Sequence, residues 1–144
     1  MQRGYKTNNM TEEIITAGKR KTSIAKARIR AGKGKVIIGK VSYENLPSNF
    51  HVLSINEPIE IAKNVLGNFN FDIDVNVSGG GTESRIEASR LAIAKSLVAF
   101  TKSAELKKAF LEYDKNLLVA DTRRKEPYKP GDSKARSKRQ KSYR

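Results

Sequence analysis

The last 24 residues of the chain exclude themselves from any folded core. Asp121–Arg144 (DTRRKEPYKPGDSKARSKRQKSYR) contains no Leu, Ile, Val, Met or Phe, so it cannot bury enough apolar surface to offset the entropy of ordering its backbone. Pro127, Pro130 and Gly131 also oppose a continuous helix. The stretch carries ten cations (Arg123, Arg124, Lys125, Lys129, Lys134, Arg136, Lys138, Arg139, Lys141 and Arg144) against Asp121, Glu126 and Asp132, a net of +7, half of the chain's +14. Fully extended, it spans about 80 Å at roughly 3.3–3.6 Å per residue. Tyr128 and Tyr143 interrupt the charge and suit stacking on bases. The bland alternative is a solvated tail that aids solubility. Ten cations in one unstructured segment point instead to a ligand for a phosphate backbone.

About 120 residues remain for a body, enough for one domain with a modest core. The sequence divides into a flexible extension at 1–12, a globular body at 13–120 and the basic tail at 121–144. With no Cys and a single His (His51), disulfides, thiolate zinc sites and His-rich metal sites are excluded, so no cofactor or metal is expected. The opening residues MQRGYKTNNMTEE hold no apolar signal core, and Met10 is an alternative start. The longest apolar stretch, Leu91–Phe100, is short and carries Lys95, so no membrane span is expected. These features fit a cytoplasmic protein. A pI near 10.1 makes nucleic acid the leading partner and an anionic membrane surface the second.

Within the body, Glu13–Ala17 reads as a strand and Gly18-Lys19-Arg20-Lys21-Thr22 as a basic turn. From Ser23 the pattern alternates, with Ala25, Ala27 and Ile29 on one face and Lys26, Arg28 and Arg30 on the other. Charge on an edge strand is one explanation of that face. With Lys19, Arg20 and Lys21 alongside, RNA contact is the favoured one. Ala31–Lys35 supplies glycines for a hairpin turn, with Val36-Ile37-Ile38 returning as a third strand. Val41–Ile55 reads as irregular, broken by Leu46-Pro47-Ser48-Asn49, with His51 a packed or exposed loop residue. Asn56 is a candidate N-cap and Pro58 falls in the first turn of a short helix ending before Gly67.

Phe69–Val77 alternates strictly, placing Asp72, Asp74 and Asn76 outward. Strand geometry explains these carboxylates without acid–base chemistry. Ser78-Gly79-Gly80-Gly81 closes that strand before a helix over Thr82–Thr101. The junction reads in three ways: a tight turn, a weak nucleotide site, or a seat for an RNA phosphate. Ser103–Tyr113 reads as a second amphipathic helix with Leu106, Phe110 and Tyr113 inward, and Leu117-Leu118-Val119 as the last apolar anchor. The order is three strands, helix, strand, helix, helix and tail.

These residues resemble the ninth-protein family of the small ribosomal subunit over nearly the full length. The resemblance rests on Gly18-Lys19-Arg20-Lys21-Thr22 with Ala25 and Ala27, on Gly79-Gly80-Gly81 opening the helix that contains Ala92-Ile93-Ala94-Lys95, on Asp121–Pro127, and on the closing Lys138–Arg144. The Gln-Lys-Ser-Tyr-Arg ending is of the archaeal or eukaryotic kind, and archaeal is the expected type. Ser84-Arg85 stands where the family usually has Gly-Gln, and Thr122 where Pro is usual.

The resemblance implies an α+β two-layer sandwich similar to the second domain of the fifth small-subunit protein, with a left-handed β3-α-β-α crossover, plus the extended basic tail. It also implies a structural protein rather than an enzyme. Its partners would be ribosomal RNA in the head of the small subunit, neighbouring head proteins and peptidyl-site tRNA, with no membrane. By position, the tRNA-proximal residues are Lys141 and Arg144. The ribosomal-RNA residues are Lys19, Arg20, Lys21, Lys26, Arg28, Arg30, Arg123, Arg124, Lys125, Lys129, Lys134, Arg136, Lys138 and Arg139. An enzyme of the same fold would need a phosphate loop and acid–base residues not found here. A nucleoid or general RNA-binding protein would share the charge without needing this ending.

Overall fold

Strict alternation builds the centre of the sheet. The strand Ser23–Ala31, here β2, buries Ser23, Ala25, Ala27 and Ile29 and exposes Ile24, Lys26, Arg28 and Arg30. The computed structural model that shows this describes residues 12–131 and 134–136. Expectations for residues 1–11 and for Lys138, Arg139, Lys141 and Arg144 lie outside the described residues.

The first strand, β1 (Ile14–Arg20), runs antiparallel to β2 in register from Ile14↔Ile29 to Arg20↔Ser23. Gly18-Lys19-Arg20 is therefore strand, not turn. Only Lys21 and Thr22 connect the two strands, with Lys21 at φ +50°. Period two then separates neighbouring cations: Lys19 lies on the exposed face with Ala17 and Ile15, whereas Arg20 shares the more buried side with Gly18 and Thr16.

The expected hairpin after β2 does not form. Val36–Ile38 (β3) is a strand, and Val41–Ser42 (β4) pairs with it antiparallel. The place beside β2 belongs to Phe71–Ser78 (β5), antiparallel from Ile24↔Ser78 to Ala31↔Phe71, while β3 lies parallel to β5 on its far side. The sheet order is β1-β2-β5-β3-β4. A three-residue β3 offers β2 a shorter ladder than β5 does, so the longer, non-local pairing prevails. Asp72 fixes the crossing loop, its Oδ1 accepting from the Lys33 N–H at 2.9 Å and the Lys35 N–H at 3.1 Å.

Between β3 and β5 runs α1, Asn49–Leu66, which starts well before the expected position. His51, Ile55, Ile59 and Ala62 are its buried stripe, so the apolar period begins upstream of Asn56. Asn56 is thus no N-cap, and Pro58 lies inside the helix. Its ring removes one backbone bond, at a cost of about 3 kcal/mol in an exposed helix interior. Burial of Ile55, Pro58 and Ile59 offsets part of that. The helix stops at Leu66 before Gly67, as expected.

Thr82–Thr101 (α2) has the expected bounds. Ala104–Tyr113 (α3) follows, its Ser103 N-cap hydroxyl accepting from the Leu106 N–H at 3.3 Å. Leu106 and Phe110 are fully buried, but Tyr113 is 57% exposed, contrary to expectation. The chain leaves the helix at Asp114 for a short turn over Lys115–Leu117, and buried Leu117 occupies the core instead. Leu118 packs partly and Val119 is exposed, which narrows the expected anchor to Leu117.

The sheet and helices make two layers of a mixed α+β fold. The helical layer approaches closely because small residues face each other. A Cβ on Gly18 would lie 2.2 Å from the Ala88 carbonyl oxygen and 2.7 Å from the Ala92 nitrogen. Ala25 and Ala27 on β2, and Ala88 and Ala92 on α2, are all fully buried. Thr16 Oγ1 donates to the Ala92 carbonyl at 2.9 Å, tying β1 to the helix.

Two stability outcomes follow from these contacts. Gly18→Ala destabilises by about 1–3 kcal/mol or more in urea unfolding, because the obstructing atoms are backbone. Gly81→Ser, at a helix N-cap with nothing within 4 Å of a built Cβ, stays neutral or gains a few tenths. Equal effects would contradict the close approach. The backbone N–H bonds from Lys35 and Lys33 hold the Asp72 carboxyl below its ordinary value. Its stabilisation is therefore full above the ordinary carboxylate range and lost as pH falls through the lower folded value. Asp72→Asn should flatten stability against pH in the acid limb.

Candidate nucleic-acid interface

Among the described residues no helix covers the side of the sheet on which β2 exposes its charged residues. Lys26, Arg28 and Arg30 emerge there at every second residue, opposite Asn76, Asp74 and Asp72 of β5. Arg28 Nε lies 3.8 Å from Glu13 and an Arg30 nitrogen 3.9 Å from Asp74, all four side chains being about half-exposed. Pairs this long and this hydrated contribute little. Among the described residues, no carboxylate is within ion-pair distance of Lys26.

A shallow groove on this face is lined by Ile15, Lys26, Arg28, Gly39, Lys40 and strand β5 at Asp74–Asn76. Lys40 is a cation that the sequence reading missed. It reaches the face because β3 lies beside β5, with the Gly39 N–H donating to the Val75 carbonyl at 2.7 Å. The only signal for it was the parallel pairing, which local pattern does not reveal.

At the end of β1, the basic cluster divides. Lys19 and Lys21 are exposed. Arg20 turns the other way and pairs with Glu87 of α2 at 2.5 Å and with Asp121. Asp121 is the hub of this junction, since it also accepts from Arg123 Nε at 2.9 Å, Arg123 Nη2 at 2.7 Å and the Arg123 N–H at 2.8 Å. A second arginine, Arg90, joins α2 to Glu57 of α1 and to Asp114 at 3.2 Å.

The glycine junction is a packing device first. Gly79 and Gly80 have φ of +74° and +65°, and a Cβ would meet the Thr22 carbonyl at 2.6 Å or Ser23 Oγ at 1.9 Å. This is the tight-turn reading. Ser84 and Arg85 complete it: the two hydroxyls of Ser84 and Ser23 lie 2.8 Å apart, and Arg85 Nε donates to the Gly79 carbonyl at 2.9 Å. Glu83 already stands in the first turn of α2, 2.8 Å from Nε2 of His51. His51 is thus packed, as one alternative had it, but on a helix rather than a loop.

From Asp121 to Gly131 the chain has no helix or strand, and all ten residues from Thr122 to Gly131 are exposed. Arg124 donates to the carbonyls of Asp121 and Arg123 at 2.9 Å each. Lys125 Nζ sits 5.0 Å from the Tyr128 ring centre. Arg136 pairs with Glu126 at 2.9 Å, and Lys129 and Lys134 are exposed. Among the described residues there is no cluster of three metal-ligating side chains, and no helix is long and apolar enough to cross a membrane.

Fold and site together define a small α+β protein with one cationic sheet face and a cationic extension. Comparison with known proteins makes this specific. Residues 18–144 match the family model for ribosomal protein S9/S16. The chain is 45% identical to small ribosomal subunit protein uS9 of Methanococcus vannielii over 133 residues, covering 91% of this chain and 98% of that protein. Its identity to the protein of that name from Methanococcus maripaludis strain C7 is also 45%, with the same coverage. The chain belongs to the ribosomal protein S9/S16 family, and these relatives are archaeal, which is the expected type. The family is structural, not enzymatic.

The open sheet face generates a salt test. With on the order of 6–10 phosphates engaged by the whole chain, RNA affinity should drop roughly 10³–10⁵ between about 50 and 200 mM salt on the duplex-DNA scale, and less for single-strand-like contacts. Replacing Lys26, Arg28 and Arg30 together with Gln should lower the slope of log affinity against log salt by about 2–3. Anisotropy titrations at several salt concentrations read this; an unchanged slope would leave the face an ordinary solvated one, since β2 is paired on both sides and is no edge strand.

Proposed function

We propose that this chain is a structural constituent of the small ribosomal subunit, acting in translation. Its body binds ribosomal RNA in the head of the subunit, and its tail reaches peptidyl-site tRNA. The observation that carries this reading is the exposed and cationic course of the described tail, without helix or strand, as it leaves a folded body at Asp121. Such a thread enters crevices between RNA helices that exclude a folded domain. Membership in the S9/S16 family and the printed name of the archaeal relatives support the ribosomal setting.

In this reading Lys19, Lys21, Lys26, Arg28, Arg30 and the tail cations from Arg123 to Arg139 face ribosomal RNA. Lys141 and Arg144 face tRNA, and neighbouring head proteins complete the surroundings. Residues 1–12 are an extension, 13–120 the RNA-binding body and 121–144 the tail of a cytoplasmic, ribosome-bound protein. The fold reading extends to the fifth small-subunit protein's second domain, with a left-handed crossover against the usual preference. The parallel β3–β5 pair joined through α1 is the unit on which that handedness bears.

Removing Gln140–Arg144 tests the tail's end. A charged hydrogen bond to phosphate is worth about 1.5–3 kcal/mol, less where water screens it. Peptidyl-site tRNA should therefore bind about tenfold more weakly to purified subunits carrying the truncated protein, while incorporation survives. Equal affinities would refute the tRNA role. Failure to incorporate would make the tail's end an anchor instead. Retention of the full-length chain on small subunits through a high-salt sucrose gradient tests the ribosomal setting itself.

A further inference from the structure

The junction between body and tail contains a cavity of about 250 Å³ whose lining includes Lys19, Arg20, Glu87, Asp121 and Arg123. Its centre is unusual for a chain of this charge. The side chains of Arg20 and Asp121 are only 19% and 17% exposed, in a segment where Arg123 is 79% exposed. Asp121 holds two arginines at once: Arg20 from the strand side, and Arg123 through both its Nε and Nη2. Its backbone carbonyl accepts from Arg124 as well. Glu87 steadies Arg20 from α2. The first residues of a tail without secondary structure are thus tied to the body by side chains.

We propose that Asp121, through Arg20 and Glu87, is a positioning residue that pre-arranges Arg123 and Arg124 beside Lys19 as a phosphate-binding surface for RNA. Arg20 is part of this clamp and is not itself a phosphate ligand. The proposal rests on the RNA-binding reading above. Two costs decide its value. Immobilising a long side chain opposes binding, and a clamp that holds the side chain beforehand removes that cost from the binding step. A carboxylate near phosphate repels it, so Asp121 is favourable only if the ordering gain exceeds the repulsion.

That opposition gives the test its sign. As a mere negative charge, Asp121 would weaken RNA binding, and Asp121→Asn would tighten it. As a clamp, Asp121→Asn should weaken it about 3- to 10-fold, the loss expected from freeing one or two arginine side chains. The probe is small-subunit ribosomal RNA transcribed from Methanococcus vannielii, with a polyuridine 20-mer as the non-specific control. Full-length protein is used, with melting temperatures confirming that each variant is folded.

The salt slope separates clamp from ligand. Lys19→Gln should lower it by about 0.7–0.9, one phosphate contact. Arg20→Gln should reduce affinity 3- to 10-fold and leave the slope unchanged. The double variant Arg20→Gln/Asp121→Asn should lose no more than the worse single variant, because one device is broken twice. In free protein, the Arg123 amide should exchange more slowly than in Asp121→Ala, which removes the Oδ1 that accepts its N–H at 2.8 Å. That readout stands without RNA, so it still judges the clamp if wild-type protein fails to prefer ribosomal RNA over polyuridine, which would sink the RNA reading alone. Three results would overturn the proposal: Asp121→Asn binding as well as wild type or tighter, Arg20→Gln flattening the slope as Lys19→Gln does, or unchanged exchange at Arg123.

Discussion

The close contact between α2 and the first two strands is the constraint on which the rest depends. Gly18 admits the backbone of α2 at Ala88 and Ala92, where any side chain would meet a carbonyl oxygen and an amide nitrogen. Dispersion falls steeply with separation, so a helix seated this near gains contacts that a larger residue would forfeit. Small residues on both sides are required, and Ala25, Ala27, Ala88 and Ala92 supply them. The larger apolar side chains, Ile55, Ile59, Ile73, Ile93, Leu97, Leu106, Phe110 and Leu117, fill the remaining core. Were α2 lifted by one methyl group, the Thr16 bond to the Ala92 carbonyl would stretch with it.

Seating α2 also fixes what surrounds its N-terminal half. At its N-terminus, Gly79 and Gly80 bend over the Thr22–Ser23 backbone, and the buried Ser23 hydroxyl bonds the Gly79 carbonyl at 3.0 Å. The β1–β2 turn is thereby held with Lys21 exposed. One turn further along, Glu87 and Arg90 leave the helix toward Arg20 and toward Asp114. Arg90 thus ties the start of the C-terminal segment, and Arg20 ties Asp121. Two half-buried arginines on adjacent elements hold the chain where its fully buried apolar residues end at Leu117. Such pairs are costly to break one-sidedly, because the remaining charge keeps its desolvation without its partner.

The sequence was most legible where one local period governed the outcome. The alternation of β2 and the apolar stripe of α2 needed no distant partner: α2 appears at the expected bounds, and β2 starts at Ser23 as expected and runs on to Ala31. The hairpin after β2 misled because pairing is a competition. Gly32 and Gly34 allow a turn, yet the eight-residue match of β5 to β2 exceeds anything β3 offers. Helix α1 was shortened because Pro58 and Asn56 imitate a start signal. The buried stripe from His51 through Ile55 outweighs that local signal. At the candidate interface, the cations of β2 and the tail were readable from pattern and composition. Arg20 was not, since reading Gly18–Thr22 as a turn concealed the alternation that sends Lys19 and Arg20 to opposite sides. Lys40 required the parallel strand pair to be known.

Separation of charge, more than its total, makes one surface cationic. The chain has 15 acidic residues against 29 basic ones, and uniform mixing would leave no strongly positive face. Instead, Glu57, Glu87, Asp114 and Asp121 are engaged at the helical side by Arg20 and Arg90. A guanidinium suits that duty, since its planar fork satisfies two carboxylates at once and is less strongly hydrated than an ammonium. Lysines predominate where water is plentiful: Lys19, Lys21, Lys26 and Lys40 are all exposed. An ammonium there keeps its hydration until a partner displaces it and costs the fold nothing when unpaired. On the sheet, Asp72 is occupied by the backbone of the crossing loop, and Asp74 is nearly 4 Å from Arg30. Neither carboxylate closely neutralises the row of cations beside it. The residues that build the crossover and clamp the tail are thus the ones that withhold negative charge from the open face.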